Sequence, residues 1–173
     1  MSAPYRVRQF IRAIGARIRP QGVNPALVNR YLPLAARSLF QAMPRYDQRH
    51  ALGVLRTLQE RGYDDRDLLA AALLHDVAKT ADRAAVLRLW HRVAVVLMQA
   101  LRPSLPDRIA RNQPGSWRQP FYVAQRHPEL GARLALEAGC SPQTAELIRR
   151  HEDRPTGSDD PWLAALRAAD EVN

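Results

Sequence analysis

A histidine-aspartate pair, His75-Asp76, directly follows the apolar run 68–74. The run is apolar enough to form a central buried helix that delivers the pair to the protein interior. Burying an imidazole and a carboxylate is costly unless they are paired or bind a metal. Adjacent residues on a helix point about 100° apart, so both reach one ion only where the helix ends or the ion lies beside its axis. The pair predicts a buried polar site, although the dipeptide alone is not specific.

The other histidines strengthen this prediction. The chain has five, and four of them lie at the predicted start or end of a helix, where side chains converge easily: His50, His75, His127 and His151. His91 lies within a predicted long amphipathic helix, and we assign it to packing or to the surface. Asp170 lies on an alanine-rich helix and would otherwise be a buried carboxylate without an obvious partner.

The order of these residues resembles the HD superfamily of metal-dependent phosphohydrolases. The matching segments cover about residues 44–173. They are His50, then His75-Asp76 followed by Val77-Ala78-Lys79, His127 in His-Pro-Glu-Leu-Gly-Ala, His151 in Ile-Arg-Arg-His-Glu, and Asp170 in Ala-Ala-Asp. The resemblance implies an all-α HD-domain bundle with a five-helix core, to which this chain adds an N-terminal helix.

The resemblance also implies a ligand set. The first metal is expected on His50, His75, Asp76 and Asp170. In the branch with two extra histidines, Asp76 bridges to a second metal held also by His127 and His151. That branch includes symmetrical diadenosine-tetraphosphate hydrolases and cyclic-di-GMP phosphodiesterases, and the Gly-Tyr-Pro motif of the latter is missing from this sequence.

The chemistry of the ligands agrees with hydrolysis. Mixed imidazole and carboxylate ligands suit Fe, Mn, Co or Zn better than Ca or Mg, and the lack of cysteine ligands argues against a structural zinc site. Two ions about 3.5 to 4 Å apart activate a bridging water and hold the oxygens of a phosphoryl displacement. We therefore expect one or two such ions, with Asp76 central, and a metal-activated water that cleaves a phosphoester or phosphoanhydride in a nucleotide-like substrate.

The cations suggest how a phosphate would be bound. Of 26 cationic residues, 25 are arginine and one is lysine, Lys79. A compact ammonium near the site would stabilise charge on a phosphate, so we predict Lys79 to be catalytic together with Asp76; a salt bridge to Asp76 or to a surface carboxylate is the alternative. Four arginines are candidates for a polyphosphate clamp, and a solvated surface role is the alternative for each: Arg49, Arg126, Arg149 and Arg150.

Two ligands and the function itself have alternatives. His127 before Pro128 is also typical of a helix N-cap, and His151 of a polar residue at a helix C-terminus. The rival function is a noncatalytic, metal-stabilised module that binds an anionic ligand, a membrane surface or nucleic acid. A third is oxygenase chemistry at a mixed-valence di-iron centre, which a few members of the superfamily support.

Capping residues and prolines predict an all-α chain. The expected helices are 25–41 with a disturbance at Pro33, 48–60 capped by Asp47 and closed by Gly62, 66–78 capped by Asp65, and 82–101. Three shorter helices are expected after His127-Pro128, Ser141-Pro142 and Asp160-Pro161. Residues 102–119 indicate an irregular loop, either a lid over the site or a surface excursion.

The N-terminal segment has apolar residues at helical spacing among arginines, from Val7 to Ile18. This basic amphipathic helix is expected either to contact an anionic membrane surface or a partner, or to dock on the core. We divide the single structural domain into an N-terminal helical extension, 1–43, packed on or near the core, and an HD domain, 44–173.

Composition limits the remaining functions. The net charge of +9 favours an anionic partner, which we expect to be a small phosphorylated or nucleotide substrate. The arginines form no stripe interleaved with aromatic residues, so specific nucleic-acid recognition is not expected. The single cysteine, Cys140, is expected to be a small buried residue, and the sequence has no long apolar span or signal-type segment, which predicts a cytoplasmic location.

Overall fold

All regular secondary structure in the computed structural model, which describes residues 25–81, 98 and 109–173, is helical. The helices are α1 Pro25–Tyr31, α2 Leu34–Ala42, α3 Arg45–Glu60, α4 Arg66–Leu74, α5 Ala78–Ala81, α6 Gln119–Glu137, α7 Pro142–Arg150 and α8 Pro161–Val172. These residues contain no strand, which confirms the predicted all-α class. The basic N-terminal helix and His91 lie outside the described residues, as does the helix predicted over 82–101 apart from residue 98, and all three stay predictions.

The central element is α4, as the apolar run predicts. Every residue from Leu68 to Leu74 is buried, and α4 packs against α1, α3, α7 and α8. Fully burying one leucine side chain stabilises the fold by about 1.5–3 kcal/mol, so this helix anchors the core. Because the turn at His75 follows α4 directly, the site is built on the most buried helix of the described residues.

Three of the predicted helix caps are confirmed. The Asp65 carboxylate accepts hydrogen bonds from the N–H groups of Asp67 and Leu68, at 2.9 and 3.0 Å. Ser141 Oγ accepts one from the Thr144 N–H at 3.0 Å. Asp160 Oδ1 accepts one from the Trp162 N–H at 2.7 Å. These caps fix the first turns of α4, α7 and α8.

Asp47 was predicted as a helix cap, and that prediction is wrong. Helix α3 begins at Arg45, and the Gln48 N–H already donates to the Pro44 carbonyl. Asp47 therefore lies in the first turn, with only 1% of its surface exposed. The carboxylate is buried inside the protein, and Pro44 occupies the N-cap position.

Two boundaries around the prolines and the site also differ from the prediction. The disturbance at Pro33 is a complete break that separates α1 from α2. Helix α4, predicted to reach about Ala78, ends at Leu74, and the Val77 N–H donates to the Leu74 carbonyl in a tighter turn. His75 keeps helical backbone angles and donates its N–H to the Ala71 carbonyl, so the regular helix gives way to turns directly after it, where Asp76 lies.

The N-terminal part of the described chain packs on this core. Val28 and Tyr31 of α1 belong to the main buried cluster, and Gln59 Nε2 donates a hydrogen bond to the Tyr31 hydroxyl at 3.0 Å. Residues 1–24 are not described, so the division at residue 43 stays a prediction.

Gly131 allows α6 to approach the site closely. A Cβ placed on it would lie 3.2 Å from Ile148 Cγ2 on α7 and 3.7 Å from the His75 carbonyl oxygen. A methyl group there would require the Ile148 side chain to shift by a few tenths of an ångström, and a longer side chain would need more space between α6 and α7. The glycine lies one helical turn after His127, and so helps to set the position of that histidine.

The described part of the predicted loop leads directly into α6. Gln119, expected at the end of the loop, is the first residue of α6, and its Oε1 accepts a hydrogen bond from the Gln113 N–H at 2.6 Å. Residues 102–108 are not described, and the role of the loop as a lid stays a prediction. Among the helices that the structure describes, none is long and apolar enough to cross a membrane.

Candidate metal centre

The structure brings the six expected ligands together around the C-terminal end of α4. They come from five helices or the residues just after them: His50 on α3, His75 and Asp76 after α4, His127 on α6, His151 after α7 and Asp170 on α8. Four of the histidines and Asp76 are buried. Residues distant in the sequence thus form one compact polar cluster within an apolar core.

Asp76 lies at the centre of this cluster. Its Oδ1 is 3.7 Å from His75 Nε2, 3.6 Å from His127 Nε2 and 3.8 Å from His151 Nε2. Lys79 Nζ is 2.6 Å from the same oxygen. One carboxylate oxygen therefore faces three imidazole nitrogens and an ammonium group.

A second group of contacts lies on the His50 side. His50 Nε2 is 3.2 Å from His75 Nε2 and 2.8 Å from Asp170 Oδ1. Asp170 Oδ1 is also 3.4 Å from His75 Nε2. The Asp170 side chain is 35% exposed, so this edge of the cluster opens to solvent.

Three of the histidines are held in the same way. The Nδ1–H groups donate to the backbone carbonyl three residues earlier: His75 to Ala72 at 3.0 Å, His127 to Ala124 at 2.9 Å and His151 to Ile148 at 2.7 Å. A carbonyl oxygen can only accept, so Nδ1 must carry the proton in each ring. In the neutral ring Nε2 then presents its lone pair to the cluster, which is the usual arrangement of histidines that bind metals.

The local structure explains why those carbonyls are available. His75 and His151 are the C-cap residues of α4 and α7, where the last carbonyls of a helix lack helical donors. His127 lies in the middle of α6, but Pro128 has no N–H to donate to the Ala124 carbonyl. The prediction that a helix begins at His127-Pro128 is therefore wrong, because α6 begins at Gln119 and runs through the proline.

One of these nitrogens has no hydrogen-bond partner among the described residues. His127 Nε2 is buried and unsatisfied, which is rare for a buried polar atom. Asp76 Oδ1 is ion-paired with Lys79 but accepts no hydrogen bond of acceptable geometry. A bound metal ion would satisfy both atoms.

The spacing of the ligand atoms fits a metal ion. Two triads each offer one ligand atom per residue within 4.8 Å of one another: His50, His75 and Asp76, and Asp76, His127 and His151. Ligands about 2.1 Å from a tetrahedral ion lie about 3.4 Å from one another. The observed separations cluster around that value, so these residues could hold a metal ion.

The electrostatics of the cluster favour a cation. Burial would raise the pKa of Asp76, but Lys79 and the surrounding histidines hold it well below its usual range. Burial also opposes ionisation of Asp170, and the neighbouring His75 outweighs it and lowers the pKa of that carboxyl. Both carboxylates are therefore ionised at neutral pH.

The pKa values of His75 and His151 are shifted in opposite directions. Burial alone would lower the pKa of His75, but Asp76 and Asp170 raise it to about 9. Burial, followed by the neighbouring His75 and His127 rings, lowers the pKa of His151 to about 4. At neutral pH, His151 is thus uncharged, whereas a metal ion bound at His75 would have to replace a proton.

Glu152 lies at the edge of the cluster and is not among the six ligands predicted from the sequence. Its Oε1 is 3.3 Å from His127 Nε2, and the side chain is 52% exposed. Burial opposes ionisation, but the adjacent His127 imidazole lowers the pKa of Glu152 to about 2. Its position directly after His151 at a helix end is the only signal in the sequence that points to it.

The predicted phosphate-binding residues differ in the groups that they contact. Lys79 contacts Asp76, which is the alternative foreseen for it. Arg49 has a buried Nε without a hydrogen-bond partner in the described part of the chain. Arg126 is paired with Glu129 at 3.2 Å on the surface. The substrate contacts of all three stay predictions.

The other two arginines are engaged with carboxylates. Arg149 Nη2 lies 2.6 Å from Glu146 Oε1. Arg150 lies 3.3 Å from both Asp153 and Asp159. These contacts hold the guanidinium groups at the surface of α7 and the loop that follows it, and a phosphate contact by either would have to compete with these carboxylates.

Comparison with known proteins adds no relative: no protein-family model, curated protein or solved structure matches the chain.

Proposed function

We propose that this protein is a metal-dependent phosphohydrolase of the HD type, which cleaves a phosphoester or phosphoanhydride bond in a nucleotide-like substrate. The observation that carries the proposal is Asp76 Oδ1, an ionised and buried oxygen faced by the Nε2 atoms of His75, His127 and His151. The order of the ligands along the chain supports the HD assignment.

The geometry favours two metal ions. Asp76 belongs to both triads of potential ligands. Asp170 adds a second carboxylate to the His50 side. A shared carboxylate between two sets of imidazoles is the arrangement expected of a dinuclear centre.

Each part of the cluster has a role in this function. Bound ions would supply Lewis acidity, lowering the pKa of a water and stabilising the charge of the phosphoryl group. The carbonyl bonds of the three histidines fix the ring orientations before an ion binds. The partly exposed carboxylates of Asp170 and Glu152 mark the open edges, through which a phosphorylated substrate would enter.

The donor set also limits the metal. Imidazole nitrogens outnumber carboxylate oxygens, which favours Fe, Mn, Co or Zn. The only cysteine, Cys140, lies in the main apolar cluster and is not part of the site. We therefore propose one or two divalent transition-metal ions as the cofactor.

The proposal is tested by metal analysis coupled to hydrolysis of a panel of nucleotides and dinucleoside polyphosphates. Asp76→Ala should lose bound metal and lower hydrolysis by roughly a hundredfold or more, because second-shell changes alone cost about 10- to 100-fold. Asp64→Ala is the matched control, since Asp64 is exposed and precedes the opposite end of α4.

Two outcomes would contradict the proposal. Equal hydrolysis by the wild type and Asp76→Ala would remove the metal centre from the reaction. Stable metal binding with no hydrolysis of any substrate would favour the noncatalytic module instead.

A further inference from the structure

The carboxylate of Glu152 reaches the metal centre from the solvent side. Its Oε1 lies 3.3 Å from His127 Nε2. The Nδ1–H of His127 donates to the Ala124 carbonyl, so in the neutral ring the nitrogen facing Glu152 presents a lone pair. Two acceptor atoms this close repel each other unless a proton or a metal ion lies between them.

The same nitrogen faces a second acceptor. His127 Nε2 is 3.6 Å from Asp76 Oδ1, and His151 Nε2 is 3.8 Å from that oxygen. Ligands of a tetrahedral ion lie about 3.4 Å apart. The separation between Glu152 and His127 therefore matches an edge of the same coordination polyhedron as the other two distances.

We propose that Glu152 is the fourth protein ligand of the metal ion held by Asp76, His127 and His151, an inference that rests on the proposed dinuclear function. The two imidazoles on this side are neutral as ligands, and Asp76 is shared with the other ion. Glu152 supplies a full negative charge that belongs to this ion alone. The His50 side has an equivalent carboxylate in Asp170, whose Oδ1 lies 2.8 Å from His50 Nε2.

The two sides of the centre are therefore built alike. Each has two histidines, the shared Asp76 and one partly exposed carboxylate at the solvent edge. The exposure of these carboxylates allows them to shift when a substrate phosphate enters the coordination sphere. Glu152 thus completes a centre whose sequence motif accounts for only six of its seven ligands.

The test is a Co²⁺ titration of the full chain against a competing chelator, followed by the visible absorption of bound Co²⁺. Glu152→Gln preserves the size of the side chain but removes its charge. The wild type should bind two ions, and Glu152→Gln should bind one of them as the wild type does and the other at least about tenfold more weakly. The absorption bands of that second equivalent should also change, because its ligand set differs.

Glu146→Gln is the matched control. Glu146 lies on α7 with a similarly exposed side chain, but its carboxylate is bonded to Arg149. It should bind both ions as tightly as the wild type. Circular dichroism of each variant checks that the helices are intact.

The possible failures can be told apart. If the wild type binds two ions and Glu152→Gln binds both equally well, the inference is wrong and the dinuclear function stands. If both glutamine variants weaken binding equally, the effect is one of net charge and the inference is again wrong. A wild type that binds fewer than two ions contradicts the dinuclear function and the inference with it.

Discussion

Lys79 Nζ lies 2.6 Å from Asp76 Oδ1, the oxygen that also faces three histidine nitrogens. The lysine follows one helical turn after the aspartate, and its side chain is largely buried. Its positive charge keeps Asp76 ionised and lowers the pKa of that carboxyl. A divalent ion on the same oxygen would be repelled by the ammonium. Lys79 would therefore keep the proposed ligand Asp76 ionised and also repel a metal ion bound to it.

Lys79→Met should strengthen metal binding while weakening hydrolysis. Removing the ammonium removes its repulsion of a divalent ion, so we expect roughly tenfold tighter binding. Hydrolysis should fall by at least about tenfold, because the charge proposed to stabilise the phosphate is lost. Chelator competition measures the first effect, and steady-state hydrolysis under metal saturation measures the second.

Arg133→Met is the control for this prediction. Arg133 is exposed and pairs with Glu137 on α6, so the substitution changes the net charge equally without touching the centre. Its metal affinity should equal that of the wild type. Equal affinities for Lys79→Met and the wild type would show that the ammonium does not oppose the ion.

Pro128→Ala should raise the stability of the metal-free protein and weaken its metal binding. The new N–H at position 128 can donate to the Ala124 carbonyl, and proline inside a helix costs about 3 kcal/mol relative to alanine. That bond competes with the His127 Nδ1–H for the same carbonyl, which loosens the ring. We expect a higher melting temperature without metal and weaker binding of the ion on the His127 side.

Pro142→Ala is the matched control, because Pro142 occupies the first position of α7. An N–H gained there has no helical acceptor, so neither stability nor metal affinity should rise. If both substitutions changed metal binding to the same extent, the link between Pro128 and the orientation of His127 would be lost. Calorimetry and the chelator titration provide the two measurements.

Local sequence signals predict the parts of this fold that depend on neighbouring residues. Asp65, Ser141 and Asp160 are recognisable as caps because their acceptors and donors lie within three residues. The buried helix over 68–74 is recognisable because all of its residues are apolar. Both kinds of signal can be recognised without knowledge of the tertiary structure.

The predictions that were wrong or missing depend on contacts between residues far apart in the sequence. Pro128 ordinarily begins a helix, but here α6 continues through it, packed against α5 and α7. Asp47 is buried in the first turn of α3, and Pro44 occupies the N-cap position. Glu152 was overlooked because its contact joins the end of α7 to the middle of α6, and no local pattern encodes that approach.

Asp159 organises the loop between α7 and α8, outside the metal centre. Its carboxylate accepts hydrogen bonds from the Thr156 N–H and hydroxyl, both at 2.8 Å. It also accepts from Arg167 Nη1 at 2.6 Å and from Arg150 Nη2 at 3.3 Å. Arg167 in turn donates to the Arg150 carbonyl. One ionised carboxylate therefore joins the end of α7 to α8.

These contacts predict a pH-dependent contribution to stability that Asp159→Asn should abolish. The Thr156 N–H and hydroxyl, and then Arg167, lower the pKa of Asp159 from 3.8 to about 2. Between these values the unfolded chain binds more protons than the folded protein, so the contribution is fully present above about pH 4 and is lost as the pH falls to about 2. The difference in urea midpoint between the wild type and Asp159→Asn should accordingly shrink from pH 5 to pH 3, measured by circular dichroism with exposed Asp64→Asn as the control. A difference that stayed constant over this range would mean that ionised Asp159 does not hold the loop.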